Sequence, residues 1–150
     1  MKNYDSAMDT IVHKQQVSKF IGKVINELYK RAIFHDDTKL YSHEKETFDE
    51  YTPKLKDSTY GSDEYKTFLA EMKPALDHHY LHNRHHPEYF NNDMSKMNLV
   101  DLLEMISDWQ AATLRHDDGD IMKSIEINQK RFGYSDELKG ILQSTVIDLF

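Results

Sequence analysis

The sequence predicts an all-α protein, a bundle of five to seven helices built around a cluster of His and Asp side chains. Three observations carry this. Apolar residues recur at intervals of three and four along most of the chain. No segment alternates apolar with polar residues as a half-buried strand does, and no Asn-Gly dipeptide offers a tight hairpin turn. At 150 residues the chain is expected to form one domain, 1–150, long enough for a single core.

Composition narrows the function classes. A formal net charge of -7 argues against binding to duplex nucleic acid, because phosphate backbones need basic surface. Nine His and no Cys leave a nitrogen and oxygen ligand set and no disulfide framework. The start Met-Lys-Asn-Tyr-Asp lacks the apolar run of a signal peptide, and no apolar stretch approaches membrane-spanning length. The expectation is a cytoplasmic protein with no membrane partner; oligomeric state is not readable.

The first helix follows Asp9 or Thr10 as cap. Its apolar stripe, Ile11, Val17, Phe20, Ile21, Val24, Ile25, Leu28 and Ala32, reads as the core face of an amphipathic helix. His13 lies on the Val17 face. A straight helix would hold His13 and His35 about 30 Å apart at ~1.5 Å per residue, so a shared site demands a bend near 18–23, where Gly22 is the only breaker.

The stretch His35-Asp36-Asp37-Thr38-Lys39 sets an imidazole beside a carboxylate, with Lys39 one turn on. A short helix then follows Ser42 as cap and is expected to end at Thr52-Pro53. Glu44 reads first as a solvated charge at that helix start, and second as a general base or outer carboxylate turned back toward Asp36. After the turn residues at 57–62, a helix is expected over 63–80, kinked or restarted at Pro74.

Five His fall in the nine residues 78–86: His78, His79, His82, His85 and His86. On a helix His79, His82 and His86 share a face, as do His78, His82 and His85, and Pro87 opens a turn. Asp93 is a cap before a strong helix over 99–114, with Leu99, Leu102, Leu103, Ile106 and Ala111 inward. Asp108 interrupts that apolar segment, where a carboxylate is costly unless paired or metal-bound. Glu104 stands one turn earlier as its natural outer partner. A turn through 116–119 leads to a helix over 120–131, on which Ser124, Asn128 and Arg131 share a face near Lys123. With Arg115, these side chains could bind a phosphate. Gly133 ends that helix, and a terminal helix from Asp136 packs Leu138, Ile141, Leu142 and Ile147 inward.

The order His…His-Asp…His…His…Asp on a helical chain, with His35-Asp36-x-x-Lys39, resembles the HD-domain superfamily of metal-dependent phosphohydrolases. The chain also looks like an uncharacterised family of short HD-like proteins frequent in phage and bacterial genomes. That likeness runs through Tyr60-Gly61-Ser62-x-Glu64-Tyr65, Asn83-x-His85-His86-Pro87-Glu88, Glu104-Met105-x-x-Asp108-Trp109 and Asn128-x-x-Arg131-Phe132. The resemblance implies His13, His35, Asp36, His79, His86 and Asp108 as ligands of a dinuclear divalent centre of Mn, Mg, Ni, Co, Zn or Fe. It implies Lys39 in catalysis and His85 as proton donor or substrate contact, with Glu44, read from its position after Asp36, as a further catalytic candidate. Arg115, Lys123, Asn128 and Arg131 would hold a phosphorylated substrate, by resemblance a nucleotide. Two further readings stay open: an HD-type di-iron oxygenase, and a non-enzymatic nucleotide- or ligand-binding protein.

Overall fold

A 28-residue helix, α1 (Ala7–Phe34), opens a computed structural model that describes residues 4–41, 43–59, 62–115 and 119–150. Six more helices follow: α2 (Lys45–Asp57), α3 (Asp63–Glu71), α4 (Lys73–His82), α5 (Leu99–Thr113), α6 (Ile121–Phe132) and α7 (Asp136–Leu149). Short 3-10 turns occupy Asp37–Leu40, Pro87–Phe90 and Met94–Lys96, and no strand occurs among the described residues. The protein is therefore all-α, as the periodicity predicts. None of the described helices is long and apolar enough to cross a membrane.

Where length predicts one domain, the chain divides into two compact units, Met1–Phe34 and His35–Phe150. The first is α1 itself. It runs unbroken through Gly22, so the bend that a site shared by His13 and His35 requires does not form. No residue of α1 is buried; Phe20 and Ile25, expected on a core face, are 60% and 58% exposed.

The second unit has its core where α5, α6 and α7 meet: Met94, Met97, Met105, Ile106, Ile125, Tyr134, Leu142 and Val146. Each such side chain contributes about 1.5–3 kcal/mol on burial. Tyr134 ties this core together by donating its hydroxyl to the Ile125 carbonyl at 2.6 Å. The buried stripe of α7 is Leu138, Leu142 and Val146, spaced by four. Ile141 and Ile147 fall off it and are 59% and 70% exposed, against expectation. Leu99 and Ala111 likewise lie outside the α5 stripe of Leu102, Met105, Ile106 and Trp109.

Local signals explain most boundaries. Ser62 caps α3 by accepting from the Tyr65 amide, and Asn98 and Asp101 form a reciprocal capping box on α5. Asp93 accepts from the Ser95 amide at the 3-10 turn before α5, and Asp120 caps α6. Gly133, at φ 68°, takes the left-handed position that closes α6. Pro74 sits in the first turn of α4, so the expected kink is a restart. Pro53 does not end α2, which continues to Asp57: Pro53 and Asp49 are both exposed, so water can satisfy the Asp49 carbonyl that loses its amide. Ser42, Tyr60, Gly61 and the turn at 116–118 lie outside the described residues.

Candidate metal centre

Four segments of the second unit converge. His35 and Asp36 enter from its first residues, and Asp36 adopts φ 59°, ψ 13°, the left-handed region that Asp tolerates better than most side chains. This reverses the chain into the Asp37–Leu40 turn and brings Thr38 and Lys39 alongside. α4 carries His79. Beyond its cap, Asn83, a turn closed by the His86 amide on the Asn83 carbonyl at 3.2 Å carries His85, and His86, extended before Pro87, follows it. α5 presents Glu104 and Asp108 one turn apart.

The imidazoles are aimed by carboxylates behind them. The buried Glu44 accepts from His78 Nδ1 at 2.7 Å on one oxygen; its other oxygen accepts from His79 Nδ1 at 2.9 Å and from the Thr38 hydroxyl at 2.9 Å. Glu104 accepts from His35 Nδ1 at 3.0 Å and lies 3.3 Å from His85 Nδ1. With Nδ1 of His35 and His79 turned outward to these carboxylates, their Nε2 atoms face inward. His79 Nε2 lies 3.2 Å from Asp36 Oδ1 and 3.0 Å from His86 Nε2. His85 Nε2 lies 3.4 Å from Asp36 Oδ1, and His35 Nε2 lies 3.6 Å from Asp108 Oδ1 and 3.7 Å from Asp36 Oδ2.

Two of these inward atoms, Asp36 Oδ1 and His85 Nε2, are buried without a hydrogen-bond partner. Buried polar groups are almost always satisfied, so this unpartnered pair, 3.4 Å apart, leaves a place for a proton or a cation between them. Asp36, His79, His85 and His86 form one group, and His35, His85 and Asp108 a second, each with ligand atoms within 4.8 Å of one another. Imidazole and carboxylate in this number suit a divalent transition ion, and the carboxylates behind the histidines supply its outer support.

Charge is arranged to match. Asp108 first, and then Glu104, hold the His35 imidazolium against burial and raise its pKa to about 10. Burial lowers His86 to about 2, helped by the charges of His85 and His79, so His86 is neutral. Burial works to raise both carboxyls, but the His79 and His85 imidazoles beside Asp36 and the Lys39 ammonium take it far below the carboxylate range, and His35 takes Asp108 below its ordinary value. Lys39 Nζ touches Asp36 Oδ2 at 2.5 Å.

The structure thus brings together His35, Asp36, His79, His85, His86 and Asp108, with Lys39 and Glu44 in contact with them. Glu44 is fully buried rather than solvated, and both its oxygens are engaged by His78, His79 and Thr38. His85 falls in both candidate groups. His13 is exposed on α1 and absent from both groups. Arg115 and Lys123 are exposed, Asn128 bonds Ser124 at 3.4 Å, and Arg131 pairs with Glu88 at 2.6 Å. These four do not assemble into a phosphate clamp.

Sequence reasoning missed the framework around the ligands. Asn83 donates to the Thr38 hydroxyl at 2.9 Å and to the His79 carbonyl at 2.8 Å. Arg84 makes a forked pair with the buried Asp101, at 3.1 and 2.9 Å, anchoring the His85-His86 stretch to α5. The only sequence signal was the placement of Asn83 and Arg84 inside the His-rich tract.

No curated protein and no solved structure matches the chain. A family model does match, over residues 2–148, and by that match the chain belongs to a family of unknown function, DUF5662.

Proposed function

We propose that the protein is a cytoplasmic metal-dependent phosphohydrolase acting on a nucleotide or another phosphoester, with a centre similar to that of the HD-domain superfamily. The observation that carries this reading is the orphaned pair Asp36 Oδ1 and His85 Nε2, 3.4 Å apart inside a shell of inward-facing imidazoles. Asp36 turns Oδ1 toward His79 and His85, while its Oδ2 accepts from Lys39 at 2.5 Å and lies 3.7 Å from His35 Nε2; Asp36, His79, His85 and His86 would hold one ion, and His35 and Asp108 would border a second. One imidazole nitrogen serves one ion, so His85 completes only one of the two groups it borders.

When bound, the divalent metal lowers the pKa of water and polarises a phosphoryl oxygen. The protein's part is to hold that ligand set rigid through Glu44 and Glu104 and to place Lys39 where the phosphoryl group gathers negative charge. In the reaction a water oxygen bonds to phosphorus, the ester P–O bond breaks, and the leaving oxygen takes a proton. Because Glu44 is committed to His78, His79 and Thr38, it belongs to positioning.

The test is phosphate or nitrophenol release from nucleoside monophosphates and from mono- and bis-(p-nitrophenyl) phosphate, with Mn, Mg, Ni, Co, Zn or Fe added. Turnover that falls at least tenfold in Lys39→Met, with metal content unchanged, supports the reading. Bound metal without turnover on any phosphoester overturns it, and bound iron with oxygen consumption assigns an oxygenase instead.

A further inference from the structure

Two histidines of the His-rich tract stand apart from the metal centre. His78 and His82 belong to neither ligand group, and they lie four residues apart in α4, hence on one face. Their rings stack with centroids 4.1 Å apart and planes 25° from parallel. His82 is exposed and the His78 side chain is 33% exposed, so both meet solvent.

Hydrogen bonds leave the same nitrogen for a ligand on each ring. His82 Nδ1 lies 2.7 Å from the His78 carbonyl, which only accepts, so Nδ1 carries the proton. His78 Nδ1 donates to Glu44 Oε1 at 2.7 Å. In the neutral imidazole the lone pair is then on Nε2 in both rings. A carboxylate behind an imidazole fixes its tautomer and raises its basicity toward a metal, and the buried Glu44 is placed to do this for His78 as for His79. Two imidazoles four residues apart on a helix can share one ion, because binding at the first holds the ion beside the second.

We propose that His78 and His82 form an accessory site for one divalent transition ion, held by both Nε2 atoms with water in the remaining positions. Imidazole favours Zn, Ni or Cu, whereas Mg and Ca take oxygen ligands and are not bound here. Two protein ligands hold an ion less tightly than the four of the Asp36 group, so this one exchanges with solvent and is lost on desalting. The site stands independently of the phosphohydrolase reading, since it uses no residue of either ligand group.

The test is nickel titration of the full chain, followed by NMR through the imidazole nitrogen signals. Paramagnetic nickel should broaden the His78 and His82 signals with one shared midpoint, as a chelate requires. His82→Gln should raise the midpoint at His78 about tenfold, with helix content and the responses of His35, His85 and His86 unchanged. Magnesium should move neither ring. Separate midpoints for the two rings, a His78 response unchanged in His82→Gln, or a response to magnesium equal to that to nickel overturns the site. A response at His78 and His82 with none at His35, His85 and His86 would leave this site standing and remove the metal centre; the converse pattern would remove this site alone.

Discussion

His79 Nε2 and His86 Nε2 face each other at 3.0 Å, and with the His79 Nδ1 proton given to Glu44 the neutral His86 is the donor of the one proton between them. A divalent ion held by both nitrogens would take the place of that proton. Replacing His86 with Phe, of similar size, should leave the helices formed and weaken metal binding at least tenfold. A chromophoric-chelator competition assay checks this; wild-type affinity in the variant would place the ion elsewhere.

Glu44 offers a sharper division between two roles. As a carboxylate that aims His79, its replacement by Gln should weaken metal affinity about 10–100-fold, the usual loss for an outer partner of a ligand. A general base would instead lose turnover at constant metal affinity. The measurement is affinity and kcat on the same Glu44→Gln preparation.

Loading the centre must displace a proton. His35 has its pKa raised to about 10 in the metal-free protein, so at pH 7 it is an imidazolium that must deprotonate to bind. Calorimetry in buffers of differing ionisation enthalpy should show at least one proton released per chain at pH 7, and affinity rising with pH. In the metal-free protein the sign is opposite for stability. The folded pKa lies above the unfolded ~6.5, so the His35 contribution is complete below that pH and is lost as pH rises toward 10. Melting of the metal-free protein should therefore fall over that window, and His35→Gln should flatten the fall.

The forked pair of Arg84 with Asp101 joins the His-rich loop to α5. Asp101 is fully buried and Arg84 is 37% exposed on its side chain, so Arg84→Ala strands a carboxylate in the interior. The expected loss is about 2–3 kcal/mol, below the usual range for a fully buried pair because water reaches Arg84. Urea unfolding measures it, and Arg84→Lys should recover only part, since the fork is lost.

Much of this was legible before any coordinates, for identifiable reasons. His35-Asp36, the tract around His79 and His86, and Asp108 stand out because imidazoles and a carboxylate interrupt apolar helices. Pro74 and Gly133 act locally and were readable as a restart and a stop. Glu44 was not, since a charge at a helix start looks the same whether it faces water or accepts from His78 and His79 thirty-odd residues later. The Arg84 pair with Asp101 was hidden for the same reason of distance. Arg131 shares a helical face with Asn128, which suggested phosphate, but its partner Glu88 comes from another segment. His13 entered by resemblance against the length of a straight helix, and α1 is unbroken.

Elemental analysis of untagged protein, purified without chelator and then reconstituted, tests the metal centre most directly when paired with Asp36→Asn. Asn tolerates the left-handed backbone that Ala at this position would strain, so the variant removes charge while keeping the turn. The account predicts up to two divalent ions per chain in the wild type, lost in Asp36→Asn at unchanged helix content. A wild-type chain that takes up none of the six ions, or an Asp36→Asn chain that keeps the wild-type complement, would contradict it.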